Sequence, residues 1–424
     1  MLNKDGQREL AFVTLIDDIT PIDGYDRVEL AHVGGWTVVV GKNNFLPGDP
    51  AIYVEIDSKL PEIEPFTNME FLAKKKFKIK TQKMCGVVSQ GLLLSAADLG
   101  WNICEAEEDN HSEIVNGIAE PDGTVHLPNN ESRFLTEKLK ITYYNAADRK
   151  RKAKINPDAK INSALSRHPK IAKKYGKYIK KYKFVKTIFM LIFGRKKDNK
   201  IHFPTHFKYV KKTDQERCEN MTWVLKDKTP FIVTEKCDGS SGTYILERKK
   251  RLFGDKYEFY VCSRNVRQLT PNQQSFYDKN YYWECAIKYD IENKLKDYLK
   301  KHPELNYVCW QGEICAPKIQ RNPQKLSETH LFLFHMIDSN KGMYDIRDAV
   351  KIWKKYNMEH VPIINENYIF PDDFEDFKET ANGFYSPNCC EEHTDCKREG
   401  FVYYKTIDPN FHFKNVSRDY LLKH

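Results

Sequence analysis

The feature that most constrains the fold is a series of short β-branched and aromatic runs early in the chain, each ended by turn-forming residues. Four such runs span residues 9–16, 28–33, 36–40 and 51–56. The pair Gly34 and Gly35 and the sequence PGDP at residues 47–50 supply turns between them. Strands this short bury their apolar faces most simply by closing on one another, so we predict a small all-β barrel.

A different pattern begins near residue 200, where apolar runs alternate with helical stretches. The predicted strands are residues 231–234, 242–247, 257–262, 307–310 and 331–337, and the predicted helices are residues 279–300 and 346–356. This mixture predicts an α+β domain. We therefore expect a barrel domain at 1–145, a basic and partly helical linker at 146–198, and an α+β domain at 199–424.

The linker concentrates the net charge of +9, because residues 149–197 contain eighteen Lys or Arg against a single acid, Asp158. Such a segment is suited to phosphate backbones, since each bound lysine releases condensed counterions. Residues 170–193 are predicted to be helical, with Tyr175, Tyr178 and Tyr182 at helical spacing. The segment is therefore either an RNA-binding helix or a solvated linker helix that docks through its aromatic side.

A second nucleic-acid contact is suggested by residues 77–94, where lysines and Gln82 lie between two apolar runs. A solvated edge strand has the same pattern, so both interpretations stand.

Composition narrows the location of the protein. The first residues contain no apolar signal core, and the most apolar run, residues 184–193, includes Lys186 and is too short to span a bilayer. Eleven cysteines are scattered without the spacing of a small secreted disulfide scaffold. We expect a protein without membrane attachment in a reducing compartment, cytoplasmic or otherwise intracellular.

The segment that carries chemistry is EKCDGSS at residues 235–241, directly after an apolar run. A lysine at a strand-to-turn junction can act as a nucleophile, but attack on a phosphate needs its neutral amine. We therefore expect nearby positive charge, including a metal ion, to lower the pKa of Lys236. Gly239 allows the backbone to approach a nucleotide closely. On its own, the motif also fits a surface turn with a solvated lysine.

Further motifs follow in a fixed order. They are SRN at 263–265, QGE at 311–313, LFLFHMID at 331–338, EGFV at 399–402 and HFK at 412–414. This order resembles the covalent nucleotidyltransferase superfamily of ATP-dependent ligases and capping enzymes. The SRN triplet is similar to RNA ligases, and the extra β-rich module precedes the catalytic domain instead of following it. Residues 212–220 also resemble a segment of the nick-sealing RNA ligases that carry an N-terminal OB module.

The resemblance implies a site built around Lys236, which would attack the α-phosphate of ATP. Glu235 would read the adenine amino group, Phe334 would pack on the adenine, Arg264 would touch the ribose or the RNA end, and Lys414 would neutralise phosphates. The implied nucleotide-binding residues are Glu235, Asp238, Gly239, Arg264, Glu313, Phe334, His412 and Lys414. The implied ligands of Mg²⁺ or Mn²⁺, direct or through water, are Asp238, Glu313 and Glu399.

Two features depart from this pattern or stand outside it. His412 occupies the first position of a closing motif that often has two lysines, so we expect an altered pH dependence. Cys389, Cys390, His393 and Cys396 invite a zinc interpretation, although their compact spacing also fits a polar loop.

The function implied by the resemblance is an ATP-dependent RNA ligase that seals 3′-OH and 5′-phosphate ends through lysine-adenylate and RNA-adenylate intermediates, in RNA repair. Its partner would be RNA, as nicked duplex or broken ends, and it would act as a monomer. The alternatives are a catalytically degenerate RNA-binding protein, and a DNA ligase or guanylyltransferase. Labelling of Lys236 by ATP or GTP would separate them.

Overall fold

The computed structural model describes most of the chain. The described residues are 1–4, 6–100, 118–119, 125–126, 133–144, single positions between 171 and 189, 215–252, 254–264, 266–271, 277, 279–390 and 396–423. Met1–Thr142 and Ile201–His424 form one compact unit, and Tyr143–Lys200 forms a second. No helix among the described residues is long and apolar enough to cross a membrane.

The N-terminal part is made of short strands and one short helix. The strands are β1 Ala11–Leu15, β2 Asp18–Ile22, β3 Tyr25–Val33, β4 Trp36–Gly41, β5 Pro50–Val54, β6 Ser58–Lys59, β7 Thr81–Met84, β8 Val87–Gln90, β9 Leu92–Leu94, β10 Ile118–Ala119, β11 Val125–His126 and β12 Thr142–Tyr143, and the helix is α1 Glu70–Lys74. They pair as β1-β5-β9, β2-β3-β4, β7-β8, β6-β12 and β10-β11. The predicted all-β character is confirmed.

Alternation along these strands explains their burial. Trp36 and Tyr53 are almost fully enclosed, with ring centroids 5.5 Å apart, and join Val38 in one apolar cluster. A second cluster contains Leu60 and Leu72 and extends from the strands to α1. Side chains on successive strand residues point to opposite faces, so a short strand contributes to a cluster on each side.

The C-terminal part contains two sheets and five helices among the described residues. The strands are β13 Glu216–Arg217, β14 Phe231–Lys236, β15 Ser240–Lys249, β16 Lys256–Ser263, β17 Arg267–Gln268, β18 Tyr307–Cys315, β19 His330–Asp338, β20 Gly342–Met343, β21 Ile363–Tyr368, β22 Gly400–Lys405 and β23 Asp408–Val416. The helices are α2 Tyr281–Lys288, α3 Ile291–Lys301, α4 Ile346–Lys355, α5 Phe374–Glu379 and α6 Arg418–Lys423. The five-stranded sheet has the order β13-β23-β22-β14-β21, and the six-stranded sheet has the order β17-β16-β15-β18-β19-β20.

The prediction of one continuous helix at residues 279–300 was wrong. Residues 279–300 form α2 and α3 instead of one helix, because Asp290 between them has a positive φ of 49°. A left-handed residue ends the hydrogen-bond ladder of one helix and re-aims the chain for the next.

The main core lies between the two sheets and the helices. Ile232 and Val402 from the five-stranded sheet meet Trp310 and Leu333 from the six-stranded sheet in one buried cluster, which Trp353 of α4 joins. The sheets are therefore fixed against each other by apolar burial, which stabilises by roughly 25 cal/mol per Å².

The basic segment at residues 149–197 lies mostly outside the described residues. Several described positions between 171 and 189 are helical, and the rings of Tyr178 and Tyr182 stack at 6.4 Å, one helical turn apart. The choice between RNA contact and linker helix stays a prediction. The bounds of the three predicted domains also stay predictions.

A buried ion cluster joins the N-terminal strands to β13. Glu55, whose side chain is fully buried, lies 3.0 Å from Arg8 Nε and 3.5 Å from Arg217 Nε, and Arg217 also reaches Asp57 at 3.1 Å. Burial alone raises the pKa of Glu55, but Arg8, the N-terminal ammonium of Met1 and Arg217 outweigh it and bring the pKa to about 2. Nearby, Trp36 Nε1 donates to Asn220 Oδ1 at 2.8 Å.

Replacing this carboxylate should weaken the junction. Glu55→Gln leaves buried arginine charge without its partner, a change that costs about 3–5 kcal/mol. Because the folded-state pKa lies below the unfolded value of ~4.3, the stabilisation is present above that value and is lost as pH falls towards 2. Urea unfolding at several pH values should show a difference between wild type and variant that shrinks with acid.

Glu62→Gln is the matched control, since Glu62 is 63% exposed and pairs with exposed Lys59. Its effect should stay below about 1 kcal/mol. Equal destabilisation by both variants would contradict a structural role for the cluster.

Candidate active site

Lys236 is the last residue of β14, and its amine faces the carboxylate of the residue just before the neighbouring strand β22. Its Nζ donates to Glu399 Oε1 at 2.6 Å. The strand register sets Lys236 opposite Gly400, the residue after Glu399. Gly400 has a φ of +148°, and a Cβ there would lie 2.1 Å from the carbonyl oxygen of Asn415, so only glycine fits. Close pairing of β14, β22 and β23 thus fixes the lysine and its partner.

The turn after Lys236 brings in the second sheet. Residues 237–239 connect β14 to β15, where Ser241 pairs with Glu313 of β18. A Cβ on Gly239 would lie 2.4 Å from the carbonyl oxygen of Ile314. The turn therefore packs directly on the end of β18 and places Glu313 beside the lysine.

Asp238 is the third carboxylate near the amine, and its Oδ2 accepts a hydrogen bond from the Tyr420 hydroxyl of α6. Burial raises the pKa of Asp238 to about 7, and the charge of Glu399 adds to the rise. Burial likewise raises the pKa of Glu313 well above its usual range. Crowded carboxylates in a low-dielectric site resist ionisation together.

The same carboxylates favour the charged form of Lys236, whereas they disfavour the charged form of one another. Burial lowers the pKa of Lys236, but the negative charges of Glu399 and Glu313 more than offset it, so the pKa lies above its ordinary value. The expected lowering of this pKa by nearby positive charge, a metal ion included, concerns the metal-bound site and stays a prediction. The amine is held as an ammonium ion until the carboxylates are neutralised.

The strand register places the site residues on two different faces of the five-stranded sheet. Lys236, Lys414 and His412 lie on one face of the five-stranded sheet, because Lys414 pairs with Val402 and His412 pairs with Tyr404 in alternation with Gly400. This face looks towards the six-stranded sheet. Glu235 pairs with Phe401 and lies on the opposite face.

Glu235 is therefore not brought together with the three carboxylates. Its Oε2 accepts hydrogen bonds from the Ser386 backbone N–H at 3.1 Å and from the Ser386 hydroxyl at 2.5 Å. Arg398 Nε lies 3.6 Å from Oε1. Burial raises the pKa of Glu235 to about 7. Oε1 is buried without a hydrogen-bond partner among the described residues.

Phe334 and His412 lie where the two sheets face each other. The pairs Gln311–His335 and Gly312–Leu333 leave Phe334 unpaired in a β-bulge of β19, a feature that re-aims a side chain. Its ring packs edge-on against His335 at 4.8 Å. His335 and His412 stand 5.1 Å apart.

Both imidazoles are electrically neutral near pH 7. Burial lowers the pKa of His412 to about 4, and burial with the nearby His412 lowers the pKa of His335 well below its usual range. His412 Nδ1 is buried without a hydrogen-bond partner among the described residues. The altered pH dependence that we expect from His412 stays a prediction.

The remaining predicted residues are less central or undecided. Arg264 follows β16 and is exposed. Lys414 is half-buried on β23. His393 of the suggested zinc group falls outside the described residues, and among those described no three or more His, Cys, Asp or Glu form a ready metal cage.

Sequence reasoning missed Ser386, Arg398 and Tyr420. Ser386 and Arg398 border a polar stretch without a recognisable motif, and Tyr420 lies in a short helix after the last motif. A single sequence carries no signal that would connect these residues with Glu235 or Asp238.

The residues present fit a divalent cation and a purine nucleotide. The three carboxylates enclose the ammonium ion of Lys236 instead of forming a preformed cage, and Mg²⁺, which keeps several waters, suits such a loose oxygen set. Glu399 Oε2 is buried without a hydrogen-bond partner among the described residues. Glu235 Oε1 has the same status and can accept from an amino group.

Comparisons with known proteins agree with this geometry. Residues 229–421 match the sequence family described as RNA ligase, and residues 10–96 match a family described as an OB-fold domain. The chain is similar to a Naegleria gruberi RNA ligase solved with PPi, with a TM-score of 0.66 and 24% identity over 99% of each chain. Searched against curated proteins, the sequence matches none.

Two mutants of the Naegleria enzyme, one solved with ATP and Mn and one with AMP and Mn, match equally well. Each has a TM-score of 0.66 and 24% identity over 98% of this chain and 99% of that chain. The predicted fold, an OB-fold barrel ahead of an α+β domain of the RNA ligase type, is confirmed, and so is the predicted resemblance to RNA ligases.

Proposed function

We propose, starting from the match of residues 229–421 to the RNA ligase family, that this chain joins RNA ends through a lysine-adenylate formed on Lys236. The observation that carries the proposal is the Lys236 amine held 2.6 Å from Glu399, within a group of three carboxylates. The cofactors are ATP and a divalent metal ion, in agreement with the ATP and Mn in structures of the Naegleria enzyme.

In the first step, Lys236 Nζ forms a bond to the α-phosphorus of ATP, and the bond from that phosphorus to the pyrophosphate oxygen breaks. Glu399 Oε1 is positioned to take the proton that the amine must lose. When bound, a divalent ion supplies positive charge to phosphate oxygens and to the carboxylates. Asp238, Glu313 and Glu399 are the residues that would hold it.

The nucleotide would be recognised from the other side of β14. Glu235 offers the adenine amino group its Oε1, which accepts no hydrogen bond from the described residues, while Ser386 and the ion pair with Arg398 hold the carboxylate in place. An amino group donates and a guanine carbonyl does not, so this arrangement favours ATP over GTP. Phe334 supplies an aromatic surface for the base.

In the second step, AMP passes from Lys236 to the 5′-phosphate of an RNA end. In the third step, a 3′-OH attacks that phosphate, and AMP leaves as the new phosphodiester forms. We assign repair of nicked or broken RNA as the role, and Lys414, His412 and Arg264 as the residues that receive phosphate or ribose groups.

The OB-fold domain offers a surface for the RNA. A cavity of about 560 Å³ is lined by Lys75, Lys78 and Gln82. Phe71, which is 45% exposed, also lines this cavity, and Lys75 Nζ lies 5.9 Å from its ring centroid. Ammonium groups beside an exposed aromatic ring suit a nucleic-acid backbone and its bases.

The adenylation step is testable by labelling. Incubation with α-³²P ATP and Mg²⁺, followed by a denaturing gel, should give a covalent band in wild type and none in Lys236→Ala, because the nucleophile is absent. GTP should label poorly. Lys351→Ala, which removes an exposed lysine of α4, should label like wild type.

Retention of the band in Lys236→Ala would move the nucleophile elsewhere. A wild-type protein that was folded, freed of bound AMP and still unlabelled would support the degenerate RNA-binding alternative.

RNA contact by the OB-fold domain is tested by charge reversal. Lys75→Glu with Lys78→Glu should weaken binding to a fluorescent nicked RNA duplex and reduce the slope of log K against log salt by roughly 1.4–1.8, since each of the two phosphate contacts contributes about 0.7–0.9. Lys351→Glu with Lys355→Glu changes the total charge equally on α4 and should leave the slope nearly unchanged. Equal effects of both pairs would place the RNA elsewhere.

A further inference from the structure

A group of thiols lies directly behind the nucleophile turn, and the mechanism does not use them. The members of this cysteine cluster are Cys237, Cys315, Cys389, Cys390 and Cys396, which pack with Leu326, Phe332 and Tyr385. All five are free thiols. They come from the β14–β15 turn, the end of β18 and the segment before β22, so the fold brings them together from distant parts of the chain.

Two members are almost in bonding contact. Cys237 Sγ lies 3.5 Å from Cys389 Sγ. A disulfide bond is about 2.05 Å long, so the two sulfurs must approach each other by about 1.5 Å for the bond to form. Cys315 is differently engaged, because its Sγ contacts the Asp238 carbonyl at 3.8 Å and accepts from Gln324 Nε2 at 3.3 Å. Cys315 also interacts with the Cys237 thiol, so the choice of Cys389 rests on the 3.5 Å distance between its sulfur and that of Cys237.

We propose that Cys237 and Cys389 form a reversible disulfide that blocks adenylation of Lys236, an inference that rests on the proposed function of that lysine. A peroxide supplies the oxidising equivalents. It converts the Cys237 thiol to a sulfenic acid and releases water. The Cys389 thiol then attacks that sulfur, the S–S bond forms and a second water leaves. A dithiol reductant restores both thiols by exchange.

Accessibility determines which sulfur reacts first. Cys389 is fully buried, whereas Cys237, the residue after Lys236, retains 5% exposure. A small peroxide therefore reaches the Cys237 sulfur first.

The bond would join the two segments that position ATP. Cys237 follows Lys236 directly, and Cys389 ends the 3-10 helix Pro387–Cys389, which begins next to Ser386. Ser386 holds Glu235 through two hydrogen bonds. Drawing the sulfurs together shifts the nucleophile turn and this helix, and a displacement of about 1 Å at a reacting group can cost on the order of 100-fold in rate.

The test oxidises the full-length protein with hydrogen peroxide, quenches it and follows two readouts. Peptide mass spectrometry without reduction should detect a Cys237–Cys389 cross-linked peptide. The rate of lysine-adenylate formation should fall by at least about tenfold and recover after dithiothreitol. Cys389→Ala should keep its rate after peroxide, and Cys389→Ser serves as a second variant if the alanine protein folds poorly. Cys85→Ser, which removes a half-exposed thiol of the OB-fold domain, should be as sensitive as wild type.

Absence of the cross-linked peptide, a Cys237–Cys315 linkage in its place, or full inhibition of both Cys389 variants would overturn the proposal. The reduced wild type separates this failure from that of the proposed function, because it must form the adenylate before peroxide is added. The cross-link itself is read without any activity.

Discussion

The ion pair between Lys236 and Glu399 is the interaction on which the catalytic domain is organised. It requires β14 and β22 to pair closely, which Gly400 permits, and it requires the turn through Gly239 to pack on the end of β18. Those constraints bring Asp238 and Glu313 to the same amine. The outcome is a lysine whose pKa is held above its ordinary value, by Glu399 in the first place, so the ligand-free site stabilises an ammonium ion. A divalent cation held by the same carboxylates would oppose this effect, and would thereby help to activate the nucleophile as well as bind phosphates.

The strand that carries Lys236 also directs two neighbouring side chains to opposite faces of the sheet. Lys236 points towards the second sheet, on the face that also carries Lys414 and His412, whereas Glu235 points to the opposite face and accepts hydrogen bonds from Ser386. At the far edge of the same sheet, β13 pairs Arg217 with Lys414 of β23. Arg217 belongs to the ion cluster that holds the OB-fold domain, so the docking of that domain and the position of Lys414 depend on the same strands.

Much of this arrangement could be predicted from sequence, because strand patterns and ordered motifs are local signals. The strands around Lys236, Glu313 and Phe334 were placed correctly. The order of the motifs along the chain identified the residues that the fold brings near the Lys236 amine. The break at Asp290 could not be predicted, because a single left-handed residue leaves the apolar periodicity of the two helices intact. Ser386 and Tyr420 were missed because their partners are distant in sequence. The sign of the pKa shift on Lys236 depends on how closely three carboxylates approach it, which spacing alone does not determine.

The most direct test of this account measures the neutral fraction of the Lys236 amine. Competitive labelling with an amine-acylating reagent across pH, read by peptide mass spectrometry, gives its pKa with and without Mg²⁺. The account predicts a pKa above the ordinary value of about 10.4 in the metal-free protein, and a lower pKa with Mg²⁺ and in Glu399→Gln. Lys405, which pairs with Asp227 at the other end of β22, provides an internal control that Mg²⁺ should not affect. A metal-free pKa below the ordinary value, or one that neither Mg²⁺ nor the variant changes, would contradict it.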